Sequence, residues 1–153
     1  MSRGNAVLRA GLVGAATGSR SMSMLAACAL SDASTGDALD RRLHTGWGRR
    51  AAVAAAAGEL VGDKLPRTPP RTDPPGLTAR LVLSALTART LARRGGDAEA
   101  PAVLIAVTAS VVTTYFGPRV RSAAATRFGS DLPGAVVEDV AALSVAAAST
   151  RLR

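Results

Sequence analysis

Apolar residues gather into five runs along the chain, and polar or proline-rich segments separate them. The runs cover about 6–30, 47–65, 77–91, 102–116 and 132–148. A helix that crosses a bilayer needs roughly 20 apolar residues, so several of these runs are short for that task. Short or interrupted membrane helices persist only where they pack against protein or line a cavity. The pattern therefore predicts a single all-α domain over 1–153, an integral membrane bundle of four to five short, partly irregular helices.

The segments between the runs predict where the helices stop. Residues 31–42 are polar, and 66–75 are so rich in proline that we expect a non-helical connector lying on the surface. Residues 93–101 contain a Gly-Gly pair and two acids, which is typical of a turn. Gly117-Pro118 is predicted to end the fourth run.

The composition favours close packing of helices. The chain is 48% hydrophobic but only 3% aromatic, so its apolar content is mainly Ala, Val and Leu. Small residues let helix backbones approach closely inside a bilayer, whereas a soluble core usually takes larger side chains to fill its layers. The mean hydropathy of +0.20 is low for a multi-pass membrane protein. A soluble, alanine-rich helical protein therefore stays the alternative.

The formal net charge of +8 comes from arginine, because Lys64 is the single lysine. Pairs of arginines fall between the apolar runs, as expected for segments that contact headgroup phosphates. Nucleic-acid binding would need arginines on one face together with stacking aromatic side chains. We therefore expect a lipid bilayer as partner and no nucleic acid, and the sequence fits either a monomer or a homo-oligomer. If all five runs span, eight basic residues flank each side, so the positive-inside rule gives no orientation.

Two pairs of carboxylates stand inside apolar runs. Glu59 and Asp63 are four residues apart and share one face of a helix, and Glu138 and Asp139 lie in the first half of the fifth run. Charges in apolar surroundings need a partner, a water-filled cavity or a task. One hypothesis brings the four acids together to bind a hard cation or to share protons. The protein would then handle a cation, a proton or a small solute.

The alternative hypothesis is that these acids form internal ion pairs. The candidate pairs are Asp63 with Lys64 or Arg67, and Glu59 or Glu138 with Arg20. Arg20 interrupts the first run, either as a break between two half-helices or as the counter-charge of one acid. Under this hypothesis the protein is a non-catalytic structural or interaction protein of the bacterial envelope, since buried ion pairs can simply fix helix register.

Glycines at a spacing of four residues predict helix packing. Gly14 and Gly18 lie in the first run, and Gly58 and Gly62 lie beside the first acidic pair. Each pair forms a strip on which another helix backbone could approach closely.

The sequence gives no pattern typical of an enzyme. The lone His44 stands in a polar connector and is expected to be solvated. A Gly-x-Ser-x-Gly turn with paired His and Asp, a Gly-rich phosphate loop and a metal-ligand cluster are all missing from the sequence. The single cysteine, Cys28, excludes an intramolecular disulfide. We expect no catalytic residues and no cofactor, and the sequence identifies no metal.

Three short motifs resemble one family. They are Gly18-Ser19-Arg20, the stretch from Glu59 to Pro66 (ELVGDKLP), and the stretch from Val137 to Leu143 (VEDVAAL). Together they resemble a family of small bacterial inner-membrane proteins known as a domain of unknown function (family four-one-two-six). The family has a Glu-x-x-x-Asp-Lys-x-Pro signature and a C-terminal Glu-Asp helix. The resemblance implies a multi-pass protein of the bacterial inner (cytoplasmic) membrane, without an established activity.

The stretch around Glu59 is also similar, less closely, to a Glu-x-Gly-Asp-Lys motif. That motif belongs to cation exporters of the manganese and calcium type. Here the two acids are one residue further apart, which moves Asp63 by roughly 100° around a helix. The likeness is an analogy of chemistry, with intramembrane carboxylates as candidate cation ligands.

Overall fold

A computed structural model describes residues 2–32, 37–62, 73–128 and 132–152. Over these residues the protein is all-helical, which confirms the all-α part of the predicted fold, but it has seven helices there and not the four to five that the apolar runs predicted. Its helices are α1 (Arg3–Ser19), α2 (Ser21–Leu30), α3 (Ala38–Leu43), α4 (Gly46–Gly62), α5 (Pro74–Gly95), α6 (Glu99–Phe128) and α7 (Leu132–Arg151).

The first apolar run folds into a V-shaped helical hairpin. α1 ends where Arg20 leaves the helical conformation (φ −145°, ψ 89°), and α2 starts at the next residue. Two consecutive residues of α5 contact the far ends of these helices: Arg94 donates to the carbonyl of Cys28 at 3.2 Å, and Gly95 lies against the guanidinium of Arg9. In one continuous helix Arg9 and Cys28 would stand about 28 Å apart. Since adjacent residues cannot reach both over that distance, α2 must run back toward the start of α1.

The helices α4 to α7 pack around the hairpin and alternate in direction. We call residues 18–22 the hairpin tip and the opposite end of the bundle the open end. α4 starts at the open end and brings Glu59 to the tip, and α5 starts beyond the tip, passes it at Arg80 and returns. α6 runs parallel to α1 from the open end. α7 runs back, with Asp139 at the tip.

Proline residues do not stop the helices where the sequence predicted. Pro74 and Pro75, assigned to the connector 66–75, open α5, because the first turn of a helix needs no N–H from these positions. The earlier part of that connector lies outside the described residues. Pro118, predicted to end the fourth run, lies inside α6. One interior proline costs about 3 kcal/mol, which the helical bonds on both sides outweigh here.

The buried residues of the bundle are mostly small or polar, whereas many of its exposed side chains are large and apolar. Among the described residues, eleven of the sixteen buried hydrophobic residues are alanines, and fourteen further buried residues are polar or charged. Large apolar side chains are exposed instead, among them Leu104 (69% exposed) and Val137 (67%). A protein that folds in water usually buries its large apolar side chains and exposes its polar ones, so this distribution is the reverse of that arrangement.

Helix α6 contains one segment, Glu99–Val120, that is long and apolar enough to cross a membrane. Of an apolar stretch of 18 residues within that segment, 17% is buried inside the bundle. No other described helix meets both requirements of length and composition.

The two glycine pairs differ in their surroundings. A Cβ atom added to Gly14 would lie 2.1 Å from the carbonyl oxygen of Ala106, and one on Gly18 would lie 2.6 Å from that of Ser110. α1 and α6 therefore touch at backbone distance along this strip. A Cβ on Gly58 or Gly62 would meet no described atom within 4 Å. In the described part of the chain, no helix approaches the strip predicted on α4 at backbone distance; Gly58 is exposed and Gly62 is half-buried.

Candidate functional site at the hairpin tip

The break at Arg20 leaves backbone groups without partners in their own helices. These are the last carbonyls of α1 and the first N–H groups of α2. The tip is closed to solvent, since Arg20 and Ser21 are 1% and 4% exposed. Arg20, in the N-cap position of α2, supplies no side-chain cap. Satisfying these groups falls to side chains from other helices.

Glu59 of α4 caps the N-terminus of α2. Its Oε1 accepts hydrogen bonds from the backbone N–H and the hydroxyl of Ser21, both at 3.1 Å, and its Oε2 accepts one from the N–H of Met22 at 2.9 Å. A carboxylate at this end is favoured by the helix dipole and by charge-assisted bonds. A side chain from a distant helix therefore takes the role that usually belongs to the residue before the helix.

Arg80 of α5 caps the C-terminus of α1. Its Nη1 donates to the carbonyls of Gly18 at 3.1 Å and Ser19 at 3.3 Å, and its Nη2 lies 3.7 Å from Oε1 of Glu59. The hydroxyl of Thr114 on α6 also donates to the Gly18 carbonyl at 3.3 Å. A cation is favoured at this end of a helix, so the charges of Arg80 and Glu59 each match the helix end they face.

The side chain of Arg20 forms a buried ion pair with α7. Its Nε and Nη2 donate to Oδ1 of Asp139 at 2.8 and 2.5 Å. Glu138, the preceding residue on α7, is half-buried and lies near Gly117 of α6. Acids from α4 and α7 thus meet the hairpin at two consecutive residues, Ser21 and Arg20.

Among the described residues, the charged side chains at the tip form an ion-pair network. Both oxygens of Glu59 accept hydrogen bonds, and Asp139 receives two from Arg20. Within the described ranges, no group of three His, Cys, Asp or Glu residues is arranged to hold a metal ion. A hard cation prefers six or more oxygen ligands. These ion pairs and hydrogen bonds hold the helix break at Arg20 in place inside the bundle.

The structure brings together only part of the candidate set. Glu59 and Asp139 reach the tip and Glu138 lies beside it. Arg20 pairs with Asp139, and this pair was not among those that the sequence suggested. Two further candidates lie outside the described residues: Asp63 and Lys64.

Arg80 is the tip residue that sequence reasoning missed. It stands alone in the first turns of an apolar run, and an isolated charge in such a run was the signal that could have found it. Which backbone carbonyls it caps depends on the fold of the hairpin, about 60 residues earlier in the chain.

A second group of charged side chains caps α2 at the open end. Arg94 donates to Asp40 at 2.5 Å, to the hydroxyl of Ser31 at 2.5 Å and to the carbonyl of Cys28 at 3.2 Å. His44, expected to be solvated, lies with its ring nitrogens 2.9 Å from the carbonyls of Asp40 and Ser31. The polar segment 31–42 contains α3, whose Asp40 is fully buried, because this pairing satisfies its charge.

No family model, curated protein or solved structure matches the chain. Its class therefore follows from fold and site alone. It is an all-helical bundle around a helical hairpin, with ion-paired side chains holding both ends of α2.

Proposed function

We propose that this protein is an integral membrane protein in which α4 to α7 cross the bilayer and the α1–α2 hairpin enters and leaves on one side. The distribution of buried and exposed side chains is the main support for this proposal. In the part of the chain that the structure describes, seventeen large hydrophobic side chains are exposed, while the buried residues are mainly alanine and polar residues. A bilayer removes the cost of the exposed apolar surface, and small residues with hydroxyls are what membrane helices use to pack together.

The capped ends of the hairpin support its placement in a membrane. Irregular backbone is tolerated at membrane depth only where protein or a water-filled cavity satisfies its polar groups. Glu59 and Arg80 supply those bonds at the tip. Two exposed aromatic side chains fit the two interfaces of a bilayer: Trp47 lies at the start of α4, and Phe116 lies near the end of the apolar segment Glu99–Val120 of α6.

The hairpin also supports an orientation that five spanning runs left undecided. With α1 and α2 both reaching the open end, most described arginines flank that end: Arg3, Arg41, Arg42, Arg49, Arg50, Arg89, Arg93, Arg94 and Arg151. Fewer described arginines flank the other end: Arg119, Arg121 and Arg127. Because positive charge is retained on the cytoplasmic side, the open end faces the cytoplasm. This fits the resemblance to the bacterial inner-membrane family, which remains part of the proposal.

For its role, we infer a structural or interaction protein whose buried acids hold helices together. The supporting observation is that Glu59 and Asp139 each have their charge matched by an arginine. Cation or proton handling is the second candidate. Its support is the discontinuous helix pair, because transporters place their sites where broken helices meet near the middle of the bilayer.

Fractionation tests the membrane proposal. The protein should remain in the membrane pellet after washing with alkaline carbonate and should leave it only with detergent. Recovery in the carbonate supernatant would contradict membrane insertion and favour the soluble alternative.

A cation titration separates the two roles. Purified protein in detergent is titrated with Mn²⁺, Ca²⁺ and Mg²⁺, beside Glu59→Gln and the surface control Glu99→Gln. The structural role predicts no saturable binding and a loss of folded protein in Glu59→Gln alone. Saturable binding that disappears in a folded Glu59→Gln variant would instead support cation handling.

A further inference from the structure

A groove of about 440 Å³ lies between α2 and the turn that leads from α3 into α4, apart from the ion pairs of the tip. Its volume is in the range of small-molecule sites. The inner wall is apolar and is formed by Leu25 of α2 with Ala51, Ala52 and Ala55 of α4. The outer part is formed by residues of the turn: Arg42, Leu43, Thr45, Trp47 and Gly48. The structural role proposed above makes no use of this groove.

Charged, aromatic and apolar residues follow one another along this groove from the open end inward. Arg42 lies in the last turn of α3 at the open end, where the neighbouring His44 contacts the carbonyl of Ser31. Trp47, 80% exposed, lies in the first turn of α4. Because α4 runs toward the tip, Ala55 lies about 12 Å deeper than Trp47. An amphiphile with an anionic head and an apolar chain has its groups in this same order.

The first turns of α4 carry positive charge at the helix end where it is least favourable. The helix has no acidic residue in its first turn, and Arg49 and Arg50 follow its start. Since this end of the helix dipole is positive, it repels these cations and attracts an anion. By helical geometry the two arginines lie on either side of the face that lines the groove, each about 60° from its edge. Their charges therefore flank the outer end of the groove.

Nearby acids do not neutralise these arginines. The acids of the α3 segment face α5 instead: Asp37 lies 3.3 Å from Arg93, and Asp40 lies 2.5 Å from Arg94. Within the described ranges, no ion pair joins an acid to the three arginines at the groove, which are Arg42, Arg49 and Arg50. Arginine binds phosphate through charge-assisted hydrogen bonds, often two at a time. A phosphate from outside the chain would match the positive charge that the protein leaves here.

We propose that this groove binds an anionic phospholipid. Arg42 donates to the phosphate, Arg49 and Arg50 add the surrounding positive potential, Trp47 packs against the glycerol region, and one acyl chain lies along the alanine wall. A zwitterionic lipid binds less tightly, because its ammonium group meets the same arginines and finds no acid at the groove. The inference rests on the membrane placement proposed above, which puts the open end at headgroup level.

Trp47 is the single tryptophan of the chain and lines the groove, so its fluorescence reports occupancy. The full chain, purified in detergent, is titrated with phosphatidylglycerol or phosphatidylcholine whose acyl chains carry bromine, which quenches tryptophan on contact. We expect saturable quenching by the anionic lipid, at a several-fold lower concentration than by the choline lipid. Unlabelled phosphatidylglycerol should reverse the quenching. Free glycerophosphate should not reverse it, because it lacks the chain that the apolar wall holds.

Two matched pairs of variants locate the binding. Arg42→Gln should weaken it roughly fivefold, the effect of one arginine near an anionic surface. Arg3→Gln removes the same charge from an exposed position at the same end of the bundle and should change nothing. Ala55→Phe fills the groove and should weaken binding, whereas Ala57→Phe adds the same bulk at an exposed position of α4 outside the groove.

Equal affinity for the two lipids, equal losses in Arg42→Gln and Arg3→Gln, or full binding by Ala55→Phe would overturn the proposal. Displacement of the lipid by free glycerophosphate would also overturn it, because the headgroup alone would then suffice. These failures are distinguishable from failure of the membrane placement, which appears as release in the carbonate wash. A protein that stays in the membrane pellet but shows no lipid preference loses only this inference.

Discussion

The carboxylate of Glu59 accepts a hydrogen bond from the backbone N–H of Ser21, a residue 38 positions earlier in the chain. The same carboxylate lies 3.7 Å from Arg80. One side chain thus links α4 to the start of α2 and to the arginine that caps α1. The position of the hairpin in the bundle depends on this link.

Glu59→Gln should destabilise the protein by about 1–3 kcal/mol. The amide retains an acceptor but removes the charge that favours the helix N-terminus and faces Arg80, and hydrogen bonds to charged groups contribute about that much. The free energy of unfolding in detergent, measured by denaturant titration, gives the value. Glu99→Gln is the matched control: Glu99 pairs with Arg89 and Arg93 at the surface, and such pairs contribute little. Equal effects of the two variants would contradict the capping role of Glu59.

Replacing one member of the ion pair between Arg20 and Asp139 should reduce the free energy of unfolding more than replacing both members. Arg20→Met or Asp139→Leu alone leaves a buried charge unmatched, which costs about 3–5 kcal/mol. The double variant should recover most of that loss, because an apolar pair of similar volume satisfies the site. Unfolding measurements on all four proteins complete the cycle. Additive losses would show that the two residues do not interact.

The glycine pairs should respond to alanine in opposite ways. Gly14→Ala should destabilise by about 1–3 kcal/mol, since its Cβ would overlap the Ala106 carbonyl and force α1 from α6. Gly58→Ala meets no described atom and should stabilise α4 by up to about 1 kcal/mol through helix propensity. Thermal unfolding midpoints in detergent compare the two. A tolerated Gly14→Ala would contradict the close contact of α1 and α6.

The thiol of Cys28 should not react in the folded protein. Cys28 is fully buried in α2, and its carbonyl is held by Arg94. A maleimide should label it only after denaturation, and mass spectrometry would report the modified fraction. Rapid labelling of the native protein would mean that α2 leaves the bundle.

The sequence predicted what depends on local pattern. Apolar runs and their breaks indicated the all-α class, and the i, i+4 glycines Gly14 and Gly18 marked a strip that the structure places against α6. Acids inside apolar runs directed attention to Glu59 and Asp139, which both reach the tip.

The remaining features depend on how the helices are oriented relative to one another, and a local sequence pattern does not contain that information. The reversal at Arg20 comes from partners on α4, α5 and α7, so it could not be read from residues 6–30. For the same reason Arg80 was missed, and Arg20 was not assigned to Asp139. Pro118 and Pro74 show that helix-breaking residues are tolerated where surrounding bonds outweigh their local cost.

The most direct test of the account is the side of the membrane on which single cysteines can be labelled. In a Cys28→Ala background, Ser2→Cys, Ala38→Cys and Ala98→Cys lie at the open end, and Ser122→Cys lies beyond the tip. A membrane-impermeant maleimide is applied to intact spheroplasts and to inverted vesicles. We expect labelling of the three open-end sites from the cytoplasmic side and of Ser122→Cys from the other side. Labelling of Ser2→Cys and Ala38→Cys from opposite sides would contradict it, because residues 6–30 would then cross the membrane as one segment.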